Sequence, residues 1–128
     1  MGYESKLYIV DKHEHLDNNR EVFWTFLQKI AEFYMAKIDQ ELLDVFQDRT
    51  VGDDWELYAD DGNTLIKKDK YGRKLTYASV DDVLSVAEEC EKHCHYSRYV
   101  PLIAYLKAIK ENCERDRWKN IIVIHYGY

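Results

Sequence analysis

Two cysteines and two histidines fall within six residues, at Cys90, His93, Cys94 and His95. On a helix, positions 90, 93 and 94 share one face, because residues three and four apart are neighbours there. Two thiolates and an imidazole so placed begin a tetrahedral zinc site, which takes four nitrogen or sulfur ligands. His95 lies about 100° further round, so it joins the site only if the helix ends near Cys94. Cys113 is a poor fourth ligand. If the last two helices form an antiparallel hairpin, it stands roughly 16 Å from the near end, at ~1.5 Å of rise per residue. His13, His15 or His125 could serve if the fold brings one of them in. Such a zinc would be structural, since no acid–base partner accompanies the cluster. The competing reading is packing. Cys90, Cys94 and Cys113 all fall on apolar stripes, where a free cysteine acts as a small hydrophobe, and the paired C-x2-C spacing of zinc ribbons is missing.

Two further groups could hold a cation. Asp53-Asp54 and Asp60-Asp61 are paired carboxylates at expected strand ends, a setting that suits Mg²⁺ or Ca²⁺. Asp60-Asp61-Gly62-Asn63 is also a strong hairpin turn, and turn chemistry is the favoured reading. His13-Glu14-His15 places two imidazoles on alternate residues, which more often makes a polar surface than a chelate. A glycine-rich phosphate loop, G-x-S-x-G and H-E-x-x-H are all lacking. With no assembled catalytic group, the expectation is a non-enzymatic protein.

Charge is unevenly spread along the 128 residues, whose formal total is −6. Residues 39–61 carry nine acids and one base, Arg49, whereas residues 62–78 carry Lys67, Lys68, Lys70, Arg73 and Lys74 against Asp69 alone. The net negative charge argues against direct nucleic-acid binding, which needs Lys and Arg to neutralise phosphates. An acidic surface instead suits a protein partner with a basic face. Aromatic residues reach 14%. Tyr8, Tyr58, Tyr71, Tyr77, Tyr96, Tyr99 and Tyr128 are expected on polar faces or in turns, a composition found at protein-binding surfaces. The candidate contact residues are therefore Asp53, Asp54, Asp60, Asp61, Tyr58 and Tyr71.

The elements that must position these groups read as α+β. Ser5–Val10 alternates as a first strand. Asn18, with Glu21 three residues on, reads as a capping box opening a helix over residues 19–38. Its stripe is Phe23, Phe26, Leu27, Ile30, Phe33, Tyr34 and Ile38. Leu42, Leu43, Val45 and Phe46 extend the pattern as a short second helix. Residues 55–59, 64–68 and 74–78 are expected to form an antiparallel meander joined by turns at 60–63 and 70–73. Ser79 caps a helix with the stripe Val80, Val83, Leu84, Ala87, Cys90 and Cys94. Pro101 opens a last helix with the stripe Leu102, Ile103, Leu106, Ile109 and Cys113. Residues 121–126 form a nearly continuous apolar run, expected to be a central strand buried on both faces. The expected architecture is one domain over residues 1–128, with a mostly antiparallel sheet of four to five strands, about three helices packed on it, and the two terminal strands as neighbours.

The N-terminal stretch has no signal-peptide pattern, and no run approaches the roughly 20 apolar residues of a membrane span. The odd cysteine count does not fit a secreted disulfide framework. A reducing, intracellular setting is expected. Four stretches, at residues 1–10, 58–64, 71–75 and 122–128, resemble small proteins carried by phages and prophages of Gram-positive bacteria. That resemblance implies an antagonist of a host defence system, of the anti-CRISPR kind, binding a basic nucleic-acid-handling target such as Cas9. A small metal-dependent enzyme acting on nucleic acid or nucleotides, and a phage accessory or assembly protein, are the alternatives.

Overall fold

The computed structural model describes residues 4–47, 49–93 and 98–128. Along the chain run β1 (Ser5–Leu16), β2 (Val22–Tyr34), α1 (Gln40–Val45), β3 (Trp55–Leu57), β4 (Thr76–Ser79), α2 (Val80–Lys92), α3 (Val100–Asn112), a 3₁₀ segment (Glu114–Asn120) and β5 (Ile121–Gly127). The strands form one sheet in the order β3-β2-β1-β5-β4. It is antiparallel except where β3 runs parallel to β2. The fold is thus the expected α+β arrangement of a five-stranded, mostly antiparallel sheet with three helices.

The terminal strands pair as expected, with Leu7 opposite His125 and Ile9 opposite Val123. β5 lies between β1 and β4, and Ile121 to Ile124 are buried on both faces. One face packs Leu7, Ile9, Ala78 and Val123 against α2 and α3, through Val83, Leu84, Ala87, Leu102 and Leu106. The other packs Tyr8, Val10, Leu27, Ile122 and Ile124 under Leu57 and Leu75. Each fully buried aliphatic side chain contributes about 1.5–3 kcal/mol. Both long helices start as their sequences dictate. The Ser79 hydroxyl accepts from the Asp82 amide at 3.1 Å, and Pro101 sits in the first turn of α3.

Residues 19–38, expected as a helix, instead complete a hairpin turn and run as the strand β2 over Val22–Tyr34. Asp17, Asn18, Asn19 and Arg20 make a hairpin turn: the Arg20 amide donates to Asp17 O at 3.0 Å, and the Asp17 amide to Glu21 O at 2.8 Å. The Asp17 carboxylate accepts from the amides of Asn19 and Glu21. The side-chain capping read at Asn18 therefore belongs to Asp17 and serves a turn. Beyond it, Val22, Phe23, Trp24, Thr25, Phe26, Ile30, Phe33 and Tyr34 are β-branched or aromatic, residues that suit a pleated surface. Of the expected helical stripe only Leu27 and Ile38 are buried, while Phe23, Ile30 and Tyr34 are exposed. The β1–β2 ladder runs from Lys6↔Tyr34 to Leu16↔Val22, with a bulge where Ile9 and Val10 pair with Ala31 and Lys29.

The meander is also corrected. β3 has three residues and pairs with Thr25–Leu27 of β2. The segment after it makes only single bridges, Tyr58↔Leu65 and Lys68↔Lys74. Its apolar content is Leu65 and Ile66, too little to bury a strand face. The next strand starts at Thr76 and pairs with β5 instead. The turn at 60–63 forms as expected, with Gly62 at φ 75° and the Gly62 amide donating to Ala59 O at 2.9 Å. Two tyrosines expected on polar faces are buried, Tyr8 and Tyr99. The Tyr99 hydroxyl donates to Asp39 Oδ2 at 3.1 Å and accepts from the Asp39 amide at 2.9 Å. Tyr96 lies outside the described residues. Among the described residues no helix is long and apolar enough to cross a membrane.

Ser5 and His125 form a buried polar pair at the end of the sheet, with Oγ 2.8 Å from Nε2. The Phe46 ring lies 5.5 Å from the imidazole. Burial pushes the imidazole down from 6.5 to about 4, partly opposed by Asp69. Between those values the unfolded chain holds the extra proton. Stability is therefore full above pH 6.5 and falls as pH is lowered toward 4, by on the order of 3 kcal/mol. Urea midpoints measured across that window should show the slope, and His125→Gln should flatten it between pH 6.5 and 5. The hairpin gives a second expectation. Arg20 sits at φ 62°, a left-handed position that costs a non-glycine residue about 1–2 kcal/mol. Arg20→Gly should therefore raise stability by up to ~1 kcal/mol after glycine's own entropic cost, read as a higher urea midpoint.

Candidate binding surface

β1 is longer than its neighbour. β5 pairs with it only from Ser5 to Asp11, so residues 12–16 have β2 alone on their flank. The hairpin formed by the ends of β1 and β2 projects past the helices and carries side chains that no core covers. Leu16, Val22 and Phe23 are 53%, 46% and 64% exposed, and Trp24 is also exposed. Strand alternation puts His13, His15, Trp24 and Phe26 on one face, with His13 opposite Phe26 and His15 opposite Trp24. The rings form a ladder. His15 stacks on Trp24 at 4.3 Å, Trp24 lies 6.0 Å from Phe26, and Phe26 lies 6.1 Å from Tyr58. His13 stacks on Phe26 at 6.4 Å, and its Nε2 is 3.0 Å from Gln28 Oε1.

Carboxylates border this surface. Parallel pairing of Trp55 with Thr25 runs the chain just before β3 toward the hairpin tip, so exposed Asp53 and Asp54 stand at that end. Between Asp11 and Trp24 there are four acids and two bases, and between Asp53 and Asp61 five acids and no base. The remaining expected contacts divide. The Tyr58 hydroxyl donates to Glu56 at 3.0 Å, which raises its own proton affinity. Asp60 pairs with the Lys29 ammonium, which holds its carboxyl below the usual range. Asp61 is absorbed by its turn, accepting from the Asn63 and Thr64 amides and from Thr64 Oγ1. Tyr71 is exposed, but Lys70 beside it bonds Gly127, and Gly127 lies opposite Ser5 at the far end of the sheet from the hairpin tip. The structure thus gathers Asp53, Asp54 and Tyr58 near the hairpin and places Tyr71 elsewhere.

The cysteine–histidine cluster is only partly described. Cys90 points into the helix-side core, and burial pushes its thiol up to about 11, with the Asp39 carboxylate beside it. His93 is exposed just past the end of α2. Cys94 and His95 lie outside the described residues. Among the described residues no three His, Cys, Asp or Glu side chains gather as a metal-binding group.

The aromatic ladder is hidden in the sequence because Phe26 also fits a helical stripe and His13 and His15 also fit a polar surface. Asp17 to Arg20, flanked by alternating residues on both sides, was the signal that could have revealed it. No family model, curated protein or solved structure matches this chain.

The exposed aromatic row can be tested within one strand. Leu27→Ala should cost about 2–5 kcal/mol, the usual range for a buried leucine. Phe23→Ala should stay within about 0.5 kcal/mol, as for an exposed side chain. A helix over residues 19–38 would bury Phe23 and make both substitutions costly, so paired urea melts decide.

Proposed function

We propose that this chain is a non-catalytic binding protein that inserts its β1–β2 hairpin into a basic face of a protein partner. The carrying observation is the row of exposed side chains, Leu16, Val22, Phe23 and Trp24, on an extension that projects beyond both cores. Isolated exposed hydrophobes are ordinary, but four gathered at one hairpin tip among polar residues match the composition of an interface centre. Trp24 is the natural anchor, since tryptophan dominates binding energy at protein contacts. The acids of residues 11–21 and 53–61 outnumber the bases there and supply a rim of net negative charge, and such a rim orients and speeds docking on a surface of the other sign. A basic surface that ordinarily holds nucleic acid has the matching charge. The resemblance to phage-borne proteins makes Cas9 the first partner to test, with inhibition by occupation as the mechanism.

The test is direct binding to purified Cas9–guide complex, with DNA cleavage measured alongside. Trp24→Ala should weaken binding at least tenfold, and Asp53→Lys with Asp54→Lys should slow association and flatten its salt dependence. A wild-type chain that neither binds nor inhibits removes Cas9 as the partner. Binding that survives all three substitutions overturns the hairpin as the contact surface.

A further inference from the structure

A second feature lies on the β3 side of the sheet, in the basic stretch that follows the acidic one. A recess of about 190 Å³ is lined by Gly52, Asp53, Lys67, Lys68 and Lys74, among others. We propose that this recess binds an oxyanion of the phosphate class.

Three observations carry the inference. First, the Lys67 ammonium is pinned. It donates to the carbonyl oxygens of Asp53 and Trp55, both at 2.9 Å, which leaves one of its three protons to offer. Second, Lys68 and Lys74 pair directly across an antiparallel bridge. Directly opposed strand residues have their Cβ atoms ~4.5–5.5 Å apart, and like charges in that position are destabilising. Third, the counter-charge is insufficient. Asp53 lies 3.6 Å from Lys74, but the two side chains are 89% and 61% exposed, so the pair is weak and screened. No carboxylate lies within ion-pair distance of Lys68 among the described residues. Three ammonium groups thus meet one loosely held carboxylate at a recess.

The wall of the recess is closely built. A Cβ at Gly52 would come within 2.7 Å of Trp55 Nε1, so backbone and indole are packed to the limit there. The recess is too small for a large organic body, and compact ammonium groups recognise phosphate as point charges. A bound dianion would neutralise the opposed lysines and draw the remaining Lys67 proton. The site is read in the isolated chain, so its failure and the failure of hairpin docking are separate results.

The experiment is thermal melting at constant ionic strength, with sodium phosphate exchanged for sodium chloride, together with amide chemical-shift mapping of the same titration. Phosphate at ten times its dissociation constant should raise Tm by roughly 4 °C and should shift the amides of Gly52, Lys68 and Lys74. Lys68→Gln with Lys74→Gln should weaken phosphate at least tenfold, and in chloride alone should melt no lower than the wild type. Equal melting in phosphate and chloride, or shifts spread over other surfaces, overturns the proposal. So does a double variant that keeps the full response. If that variant does not fold, the wild-type shift map alone decides. A nucleoside monophosphate and a twelve-residue oligothymidylate then identify the source of the phosphate. Equal affinity marks a small phosphorylated ligand, and affinity that grows with length marks a nucleic-acid backbone.

Discussion

The pairing of β1 with β5 is the constraint on which the rest of this structure depends. It seats a strand buried on both faces beside the longest ladder in the molecule and so divides the protein into two cores. The helices cover one side and residues 51–77 cover the other. Because β5 reaches only as far as Asp11 and β3 flanks β2 only from Thr25 to Leu27, the tip of the β1–β2 hairpin extends beyond both neighbouring strands. The exposed hairpin follows from that mismatch in length. It is a projection built on a rigid two-sided base, which is how a small protein can present apolar side chains without losing its fold.

The charge pattern takes on a different meaning once the fold is known. In the sequence an acidic block runs into a basic one. In space the acids of Asp53 and Asp54 flank the hairpin end, Asp60 is held by Lys29, and Asp61 belongs to a turn. The basic block folds back on itself and puts Lys68 opposite Lys74. Exposed charges of this kind add little to stability and are more readily understood as recognition. The two blocks meet in space at Asp53 and Lys74.

How much was legible in the sequence depends on how many structures each pattern could satisfy. α2 was readable because a polar face, the Ser79 cap and an apolar stripe agreed, and α3 because Pro101 and its stripe agreed. Val80, Val83, Leu84, Ala87 and Cys90 are all buried as the spacing required. β5 was readable because a continuous β-branched run has few other homes. β2 was not. Phe23, Phe26, Leu27, Ile30, Phe33 and Tyr34 fit a period of 3.6 by position, and the fit assumes that such residues must be buried. Here several are left in solvent, so the period carried no information about packing. Asn18 and Glu21 compounded the error, since a turn and a helix cap draw on the same side chains. The candidate surface shared this fate. Its acids are legible in the sequence, but Phe23 and Phe26 also fit a helical stripe, and Tyr71, expected beside the acids, lies at the far end of the sheet.

The Ser5–His125 contact spans 120 residues of chain, and this separation bears on time as well as structure. The β1–β2 hairpin is local and can close quickly, but the strand that completes both cores is far away in sequence. Loop-closure entropy must be met before such a pairing gives any return, which places this sheet among slow-folding topologies. Until β5 docks, the inner half of β1 offers an open, apolar strand edge. The bulge and lysine at residues 29–31 blunt the opposite side of the hairpin against pairing with other chains, so during that interval the vulnerable edge is the one that β5 will eventually take.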